Sequence, residues 1–292
     1  LAPWLQTYTG GSVRIAGRNT SSVSFQGPLS LAGGQGQVGL RWNWADLFGF
    51  QVQSGELQVL LSNGVLQTRP ADLTVSEGRL HLEPQIRLAQ QPAELYLPPG
   101  RLAEQIRFNP VMCAAALQYV APVLAGITNV EGKFSVDLQN CRIPLANPAK
   151  SDVAGMMTLH SAQVGPGPLI QELAVLFGNP TPAQLNREAA LEFRVVEGRI
   201  YHRGLKLEFP NITVGTYGSV GFDQSLAMIA EMPIPPKWRD NRLIAAALKD
   251  QILRIPIGGT LQRPKLDRQL LDQLNRQMIQ TTAKHTHEDT LR

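Results

Sequence analysis

The residues from Leu191 to Pro236 alternate between apolar and polar side chains, and this two-residue period constrains the fold more than any other feature of the chain. In the run Leu205–Phe209, for example, each leucine is followed by a charged residue. Such a period places one face of a strand on an apolar surface. The runs are separated by residues typical of tight turns, namely Glu197-Gly198, Pro210-Asn211, Tyr217-Gly218 and Asp223-Gln224. Connections this short favour antiparallel hairpins, so the stretch predicts a meander of short strands.

Similar hairpins are predicted upstream. Asn63-Gly64 and Glu77-Gly78 each lie between two apolar runs, and Asn-Gly is a strong hairpin signal. Of the 292 residues, 43% are hydrophobic and 17% are charged, and the 26 glycines and 21 prolines favour a β-rich globular chain over disorder. We expect an α+β, mainly β fold. It would be an elongated, curved antiparallel sheet of hairpin meanders, with a few amphipathic helices packed on it, in two related units.

Residues 1–50 are expected to supply the leading strands of this sheet. The candidate strands are Ser12–Ala16, Val23–Gln26 and Gln37–Asn43. Gly34, Gly36 and Gly39 match the GxGxxG spacing of dinucleotide-binding loops, but no helix-opening pattern follows them. A glycine-rich turn is therefore preferred to a phosphate-binding loop.

The middle of the chain predicts two helices. Asn109-Pro110 opens an apolar-faced helix over Pro110–Gly126, which Pro122 should kink or break. A short amphipathic helix is predicted in LIQELAVLFG, which ends at Gly178. Residues 100–107 are predicted to form a polar loop or a short turn of helix. Further strands are predicted at Lys133–Leu138, Ile143–Leu145 and Gly155–His160.

The chain contains an imperfect repeat. AELYLPP, which ends at Pro99, matches AEMPIPP, which ends at Pro236, and an alanine-rich segment follows each one. A glycine-containing strand then follows, at residues 130–136 and 257–261. Duplicated hairpin-helix-strand units would extend one sheet sideways, although a chance resemblance remains an alternative. The expected organisation is leading strands over 1–50, a first unit over 51–150, a second unit over 151–267, and a C-terminal helix and polar tail over 268–292.

The two alanine-rich helices, Pro110–Gly126 and Asn241–Leu253, are expected to pack as equivalent elements on one sheet surface. Three small residues in each would let the helix approach the sheet closely, with a leucine as the large anchor. Leu117 and Leu248 are therefore expected to be buried.

The end of the second unit resembles the C-terminal region of AsmA-like envelope proteins, the superfamily that includes TamB-type proteins. The residues that carry the resemblance are the run Ile255–Leu261, then Pro264 and Asp267, after a strand meander and a helix. With the meander, the resemblance covers residues 185–275. It implies an elongated β-sheet groove in the bacterial periplasm that moves or sorts lipids between membranes and supports outer-membrane homeostasis.

The family's N-terminal membrane anchor has no counterpart here. The chain does not begin with Met, and no apolar run approaches the roughly 20 residues needed to span a bilayer. We therefore expect it to be an excerpt from a longer protein, anchored through a segment that precedes Leu1.

The first functional hypothesis is a non-enzymatic lipid-binding protein whose partners are acyl chains or phospholipid. The candidate groove residues are Leu205, Leu207, Phe209, Ile212, Val214, Val220 and Phe222. The alternative for each of them is a closed core under the helices. The second hypothesis is an assembly scaffold that binds envelope proteins through open sheet edges.

Other chemistry is poorly supported. The chain has no nucleophile elbow or Walker loop, and its five histidines are scattered, so no enzyme, cofactor or metal site is expected. Its net charge of +4 comes without a basic run, so nucleic-acid binding is not expected either. Cys113 and Cys141 are either a disulfide or two buried thiols. A helix over Asp267–Thr281 would dock on the sheet or, alternatively, bind a membrane surface. His285 and His287 are assigned to a polar tail rather than to a weak metal site.

Overall fold

The fold comes from a computed structural model. It describes residues 13–16, 20–27, 34–88, 90–175, 188–209, 212–233 and 252–267. Most of these residues belong to one antiparallel sheet. The first twelve strands are β1 (Val13–Ala16), β2 (Thr20–Gln26), β3 (Gln35–Trp42), β4 (Trp44–Leu47), β5 (Phe50–Val52), β6 (Gly55–Ser62), β7 (Val65–Thr68), β8 (Ala71–Val75), β9 (Gly78–Leu82), β10 (Gln85–Arg87), β11 (Glu94–Tyr96) and β12 (Gly100–Arg107). The remaining strands are β13 (Val130–Pro144), β14 (Asp152–Val164), β15 (Ala189–Val196), β16 (Arg199–Phe209), β17 (Ile212–Gly221), β18 (Leu226–Pro233), β19 (Ile252–Thr260) and β20 (Arg263–Leu266).

The first twelve strands are the halves of six long strands, each interrupted by a short bend. Each long strand pairs with the next one along the chain, and the pairing continues through β13 to β20. Prolines lie at three of the bends, at Pro70, at Pro84 and at Pro98-Pro99. A proline cannot donate to the strand ladder, so it ends regular pairing at these points. The mainly β, antiparallel fold class predicted from the sequence is therefore confirmed.

Two helical segments lie on one face of the sheet, which we call the inner face. Helix α1 covers residues 110–120 and consists of an α-helical turn (Pro110–Met112), a π-helical turn (Cys113–Leu117) and a second α-helical turn (Gln118–Val120). A 3-10 turn (Pro122–Leu124) follows, so the predicted break at Pro122 is confirmed. Helix α2 (Pro168–Val175) lies beside this 3-10 turn. A further 3-10 turn, Pro148–Lys150, connects β13 to β14.

The sheet curves around these helices, because strands that are distant in the sheet contact them from both sides. Asn109 caps α1 by accepting a hydrogen bond from Met112 N at 2.9 Å, and its side-chain nitrogen donates to Gly49 O, in the β4–β5 turn, at 2.7 Å. At the far end of the sheet, Leu266 N in β20 donates to Glu172 Oε1 of α2 at 3.3 Å.

The core fills the space between the inner face and the helices. It contains Ile106 and Phe134 from the sheet, Met112 and Leu124 from the first helical segment, and Leu173 from α2, all essentially inaccessible to solvent. The rings of Phe108 and Phe134 lie 5.1 Å apart, a typical spacing for interacting aromatic side chains.

Several details differ from the sequence prediction. Residues 100–107 form strand β12 instead of a loop, since Ala103 and Ile106 point into the core and a bulge keeps them on one face. The strand pair predicted at Lys133–Leu138 and Ile143–Leu145 is one strand, β13, and the break in its pattern is a bulge between Leu138 and Asn140.

The turn predicted at Tyr217-Gly218 is wrong, because both residues lie inside β17. Gly36 and Gly39 lie in β3, so their spacing reflects a strand and neither a turn nor a phosphate loop. In contrast, the turns at Asn63-Gly64 and Glu197-Gly198 are confirmed, and their backbones have the positive φ angles that such turns require.

Leu117 is buried as expected, but the three alanines before it do not face the sheet, so they do not allow the close approach that was predicted for them. Ala114, Ala115 and Ala116 are exposed, whereas Cys113 and Leu117 face the core. The second alanine-rich helix, Asn241–Leu253, lies outside the described residues except for Ile252 and Leu253, which belong to β19. The described residues also exclude Leu248, residues 268–281 of the predicted C-terminal helix, His285 and His287. The duplication therefore stays a prediction.

Candidate functional site: an apolar strip on the inner face

One row of directly paired residues crosses seven strands of the sheet. Directly opposite residues in antiparallel strands share a face, so a register row shows which side chains lie together. The row consists of Phe25, Gly36, Leu61, Leu66, Ile86, Leu95 and Ile143, from β2, β3, β6, β7, β10, β11 and β13. Each member except Gly36 carries an apolar side chain, and a Cβ at Gly36 would lie only 3.3 Å from the Phe25 ring. The Phe25 ring thus covers the gap that the glycine leaves.

Neighbouring rows on the same face are mainly apolar, with Ser21 and Thr68 as polar members. We call the whole set the apolar strip, and its members are Val23, Phe25, Val38, Leu40, Leu57, Val59, Leu61, Leu66, Ile86, Leu95 and Ile143. Seven strands at about 4.8 Å spacing make the strip roughly 29 Å wide. No member belongs to the buried core.

Every member of the strip is at least partly accessible to solvent. Val23 is 73% exposed and Phe25 is 43% exposed, while the other members are half-buried. Among the described residues, the helices lie over the part of the inner face next to the strip, where β4, β5, β8 and β12 to β20 contribute buried residues to the core. Apolar surface left open in this way is typical of sites that bind an apolar partner.

The opposite face of the same strands is polar. The register row next to that of Leu61 consists of Ser24, Gln37, Leu60, Gln67, Gln85, Tyr96 and Arg142. Leu60 is the one aliphatic residue in this row. The contrast between the two faces shows that the inner face, and not the sheet in general, is apolar.

The strip passes directly into the covered part of the inner face. Leu97 N donates to Cys141 O at 3.1 Å, which continues the pairing of β11 with β13 beyond Ile143. Cys141 and Leu138 lie next along β13, and both are buried. The apolar surface is therefore continuous from the exposed edge strand β2 to the core beneath the helices.

The groove residues predicted from the sequence lie in the core and not on the strip. Leu205, Leu207, Phe209, Ile212, Val214 and Val220 are buried and belong to the hydrophobic core under α1 and α2. Phe222 is 43% exposed at the β17–β18 turn. The structure thus groups six of the seven, and contact of any of the six with a lipid would require the helices to move.

Three buried polar side chains lie on the inner face near α1. His202 of β16 is 3% exposed, and neither of its ring nitrogens has a hydrogen-bond partner among the described residues. Thr216 Oγ1 on β17 and Gln118 Oε1 on α1 are likewise buried without a partner in the described chain. The segment Gln118–Val120 contacts both strands. Burial in this apolar environment lowers the pKa of His202 to about 4, so the imidazole is neutral at pH 7.

A cleft of about 710 Å³ lies where β11 bends into β12. His81 Nδ1 lies 2.8 Å from Asp72 Oδ1 there, and Arg79, Arg101 and Glu104 also line the cleft. An Asp–His pair assists catalysis when it activates a nucleophile or a water at a shaped site. The described lining residues include no serine, threonine or cysteine, so the geometry assigns this pair no nucleophile.

Cys113 and Cys141 are both buried free thiols. Desolvation raises the pKa of Cys113 to about 12, and burial also raises the pKa of Cys141 despite the hydrogen bond from the Leu97 backbone. In the described ranges, no three His, Cys, Asp or Glu side chains are grouped so that they could hold a metal ion. None of the helices in those ranges has the length and apolar character needed to cross a membrane.

Comparison with known proteins gives no relative. The chain matches no protein-family model, no curated protein and no solved structure. The candidate site therefore rests on the register and burial of the described residues alone.

Sequence reasoning chose residues on strands of the C-terminal part, most of which lie in the buried core, and did not single out the strands of the strip. The alternation that defines the strip is visible in QGQVGLRW and in ELQVLLS, where apolar residues alternate with glutamine, glycine or a charge. The same two-residue period occurs in the covered strands of the C-terminal part. Only the positions of the helices distinguish the open apolar surface from the closed one.

Proposed function

We propose that this protein binds the acyl chains of lipids on the apolar strip, as a non-enzymatic protein of the AsmA-like type in the bacterial periplasm that supports outer-membrane homeostasis. The observation that carries the proposal is the apolar register row that crosses seven strands and stays open to solvent. The resemblance of Ile255–Leu261, Pro264 and Asp267 to that superfamily supports the envelope location.

The chemistry of the strip favours an acyl chain over a protein partner. Its members are aliphatic except for Phe25, and the strands between β2 and β13 are paired with a neighbour on both sides, so this part of the surface offers a ligand little besides apolar contact. Protein interfaces, in contrast, concentrate their binding energy in tryptophan, tyrosine and arginine, which the strip lacks. Each methylene group that an acyl chain buries there would contribute about 0.8 kcal/mol.

The strip offers a matched pair of variants on one strand. Leu61 lies on the strip between Gly36 and Leu66, whereas Leu60 lies on the outer face between Gln37 and Gln67. Both leucines are half-buried. Leu61→Gln would place an unpartnered amide in the ligand's path and weaken binding of a fluorescent fatty-acid probe by about tenfold, since this desolvation costs roughly 1–2 kcal/mol. Leu60→Gln should bind the probe like the wild type.

Native mass spectrometry of the wild-type protein purified from cells provides the direct readout. We expect co-purified lipid on the wild type and on Leu60→Gln, and a reduced amount on Leu61→Gln. Absence of lipid on the wild type, together with no saturable uptake of the probe, would contradict the lipid proposal. So would an equal loss of binding in the two variants, because that result would place the ligand away from the inner face.

A scaffold that binds client proteins through an open sheet edge is the second candidate function. One observation favours it, namely that edge strand β2 carries no charged residue and pairs only with β3 among the described strands. The two functions use different surfaces. Charged substitutions on the outer face of β2 should abolish client capture under this alternative and leave acyl-probe binding unchanged under the lipid proposal.

A further inference from the structure

The two ends of the sheet are protected to different degrees. A strand at a sheet edge exposes unpaired backbone groups, and natural proteins block such edges with charged residues, with proline or with very short strands. Strand β20 uses all three devices, because it is four residues long and contains Arg263, Pro264 and Lys265. Strand β2, at the opposite end, has seven residues with the sequence TSSVSFQ and contains neither a charge nor a proline.

The described part of the chain leaves the side chains of β2 exposed. Val23 and Phe25 are 73% and 43% exposed, the highest values on the apolar strip. Ser22 and Ser24 are exposed on the other face of the same strand. Among the described residues, only β3 pairs with β2. A strand with these properties is suited to receive another strand whose apolar residues fall on the strip side.

We propose that β2 pairs with β2 of a second copy of this chain, so that the two sheets join edge to edge. Strand β2 itself has the property required of such a partner strand, because its apolar residues Val23 and Phe25 lie on the strip side. Val23 is the middle residue of Thr20–Gln26, so a two-fold axis through Val23 pairs all seven residues in antiparallel register. Directly opposite residues share a face, so Val23 would face Val23 of the second copy on the strip side, and Ser22 would face Ser24 on the outer side.

This arrangement has two physical consequences. No like charges meet across the joint, because β2 has none. The apolar strips of the two copies would lie side by side on the same face of the joined sheet. Val23 and Phe25 would then lie at the centre of this combined apolar surface instead of at its edge. The inference does not depend on the proposed lipid function, since it rests on the edge of β2 and not on the ligand of the strip.

Charge substitution on the outer face of β2 tests the pairing without altering the strip. In Ser22→Lys/Ser24→Lys, lysines would oppose each other at two positions, and the dimer should weaken about tenfold or more. Ser22→Asp/Ser24→Asp should weaken it similarly. Mixing the two variants should restore a heterodimer, because each lysine then faces an aspartate. Gln37→Lys/Gln67→Lys adds the same charge to the outer face of inner strands and should dimerise like the wild type.

Sedimentation velocity in detergent-free buffer measures the association. Loading should extend from about 1 to about 200 µM, because a seven-residue edge buries less area than a standard protein interface. A wild-type dimer, monomeric lysine and aspartate variants and a restored mixed dimer would support the proposal. A wild type that is monomeric throughout would overturn it, even if β2 binds a strand of a different protein. A dimer that tolerates the lysine variant would also overturn it, because its interface must lie elsewhere.

Discussion

His202 of β16 lies directly opposite Gly218 of β17, so the buried imidazole faces a residue that offers no side-chain partner. On its other side His202 is paired with Phe193, which also cannot accept or donate a hydrogen bond through its side chain. The imidazole is thus held in an apolar part of the inner face with both nitrogens unpartnered among the described residues. Its burial makes the charged form unfavourable in the folded protein.

The stability of the protein should fall between pH 6.5 and pH 4 because of His202. Burial lowers its folded-state pKa to about 4 from a usual value of 6.5, so acid charges the unfolded chain first and favours unfolding. The loss should approach roughly 3 kcal/mol near pH 4. Urea denaturation at several pH values should show a shallower pH dependence for His202→Leu than for the wild type.

The matched control for this experiment is His81→Gln, because His81 is exposed on the outer face. That variant removes an exposed imidazole instead of the buried one, so it controls for the loss of a histidine as such. Carboxylates that titrate in the same range are common to all three proteins and cancel in the comparison. Identical slopes for the wild type and His202→Leu would show that solvent reaches the imidazole.

Both cysteines should be unreactive in the folded protein. Cys113 and Cys141 are buried, and desolvation holds the pKa of Cys113 near 12, so almost no thiolate is present at pH 8. An aromatic disulfide reagent should therefore label neither thiol under native conditions and both in denaturant without reductant. Fast native labelling would contradict the burial, and unlabelled cysteines in denaturant would indicate a disulfide.

Leu117 anchors α1 in the core, and replacing it by aspartate should be severely destabilising. The variant would bury an unpaired carboxylate or force it to take up a proton, at a cost of at least about 3 kcal/mol. Ala116→Asp is the matched control, because Ala116 is the preceding residue and is exposed. It should cost less than about 1 kcal/mol, mainly through helix propensity. Chemical denaturation measures both, and equal costs would mean that α1 does not pack as described.

The sequence predicted the strands best where turn chemistry and alternation agree. At Asn63-Gly64 and Glu197-Gly198 the turn residues require positive φ angles, and the hairpins occur where expected. Predictions failed where a bulge interrupts the period, as between Leu138 and Asn140, because a bulge shifts the alternation without ending the strand. The polar residues of 100–107 gave a similar error, since only Ala103 and Ile106 of β12 are fully buried.

The candidate site was harder to predict than the fold. Leu205 and Leu61 occur in equally regular alternating runs, yet Leu205 is fully buried in the core and Leu61 is only half-buried. What covers each strand depends on the contacts of α1 and α2 with distant strands, such as that of Glu172 with Leu266. Long-range packing of this kind is not encoded in the local two-residue period.

Gly155 and Gly258 are both inside strands with ordinary backbone angles, and alanine should have opposite effects at the two positions. A Cβ at Gly155 would lie 2.8 Å from Cζ of Phe193, its direct partner on β15, and would also meet the backbone oxygen of Asp137. Since the backbone cannot move away freely, Gly155→Ala should cost about 1–3 kcal/mol. A Cβ at Gly258 would have no atom within 4 Å, so Gly258→Ala should stabilise the protein by about 0.5 kcal/mol through lower unfolded-state entropy. Thermal and urea denaturation of the two variants should therefore shift in opposite directions, and a neutral Gly155→Ala would contradict the close packing of β14 against β15.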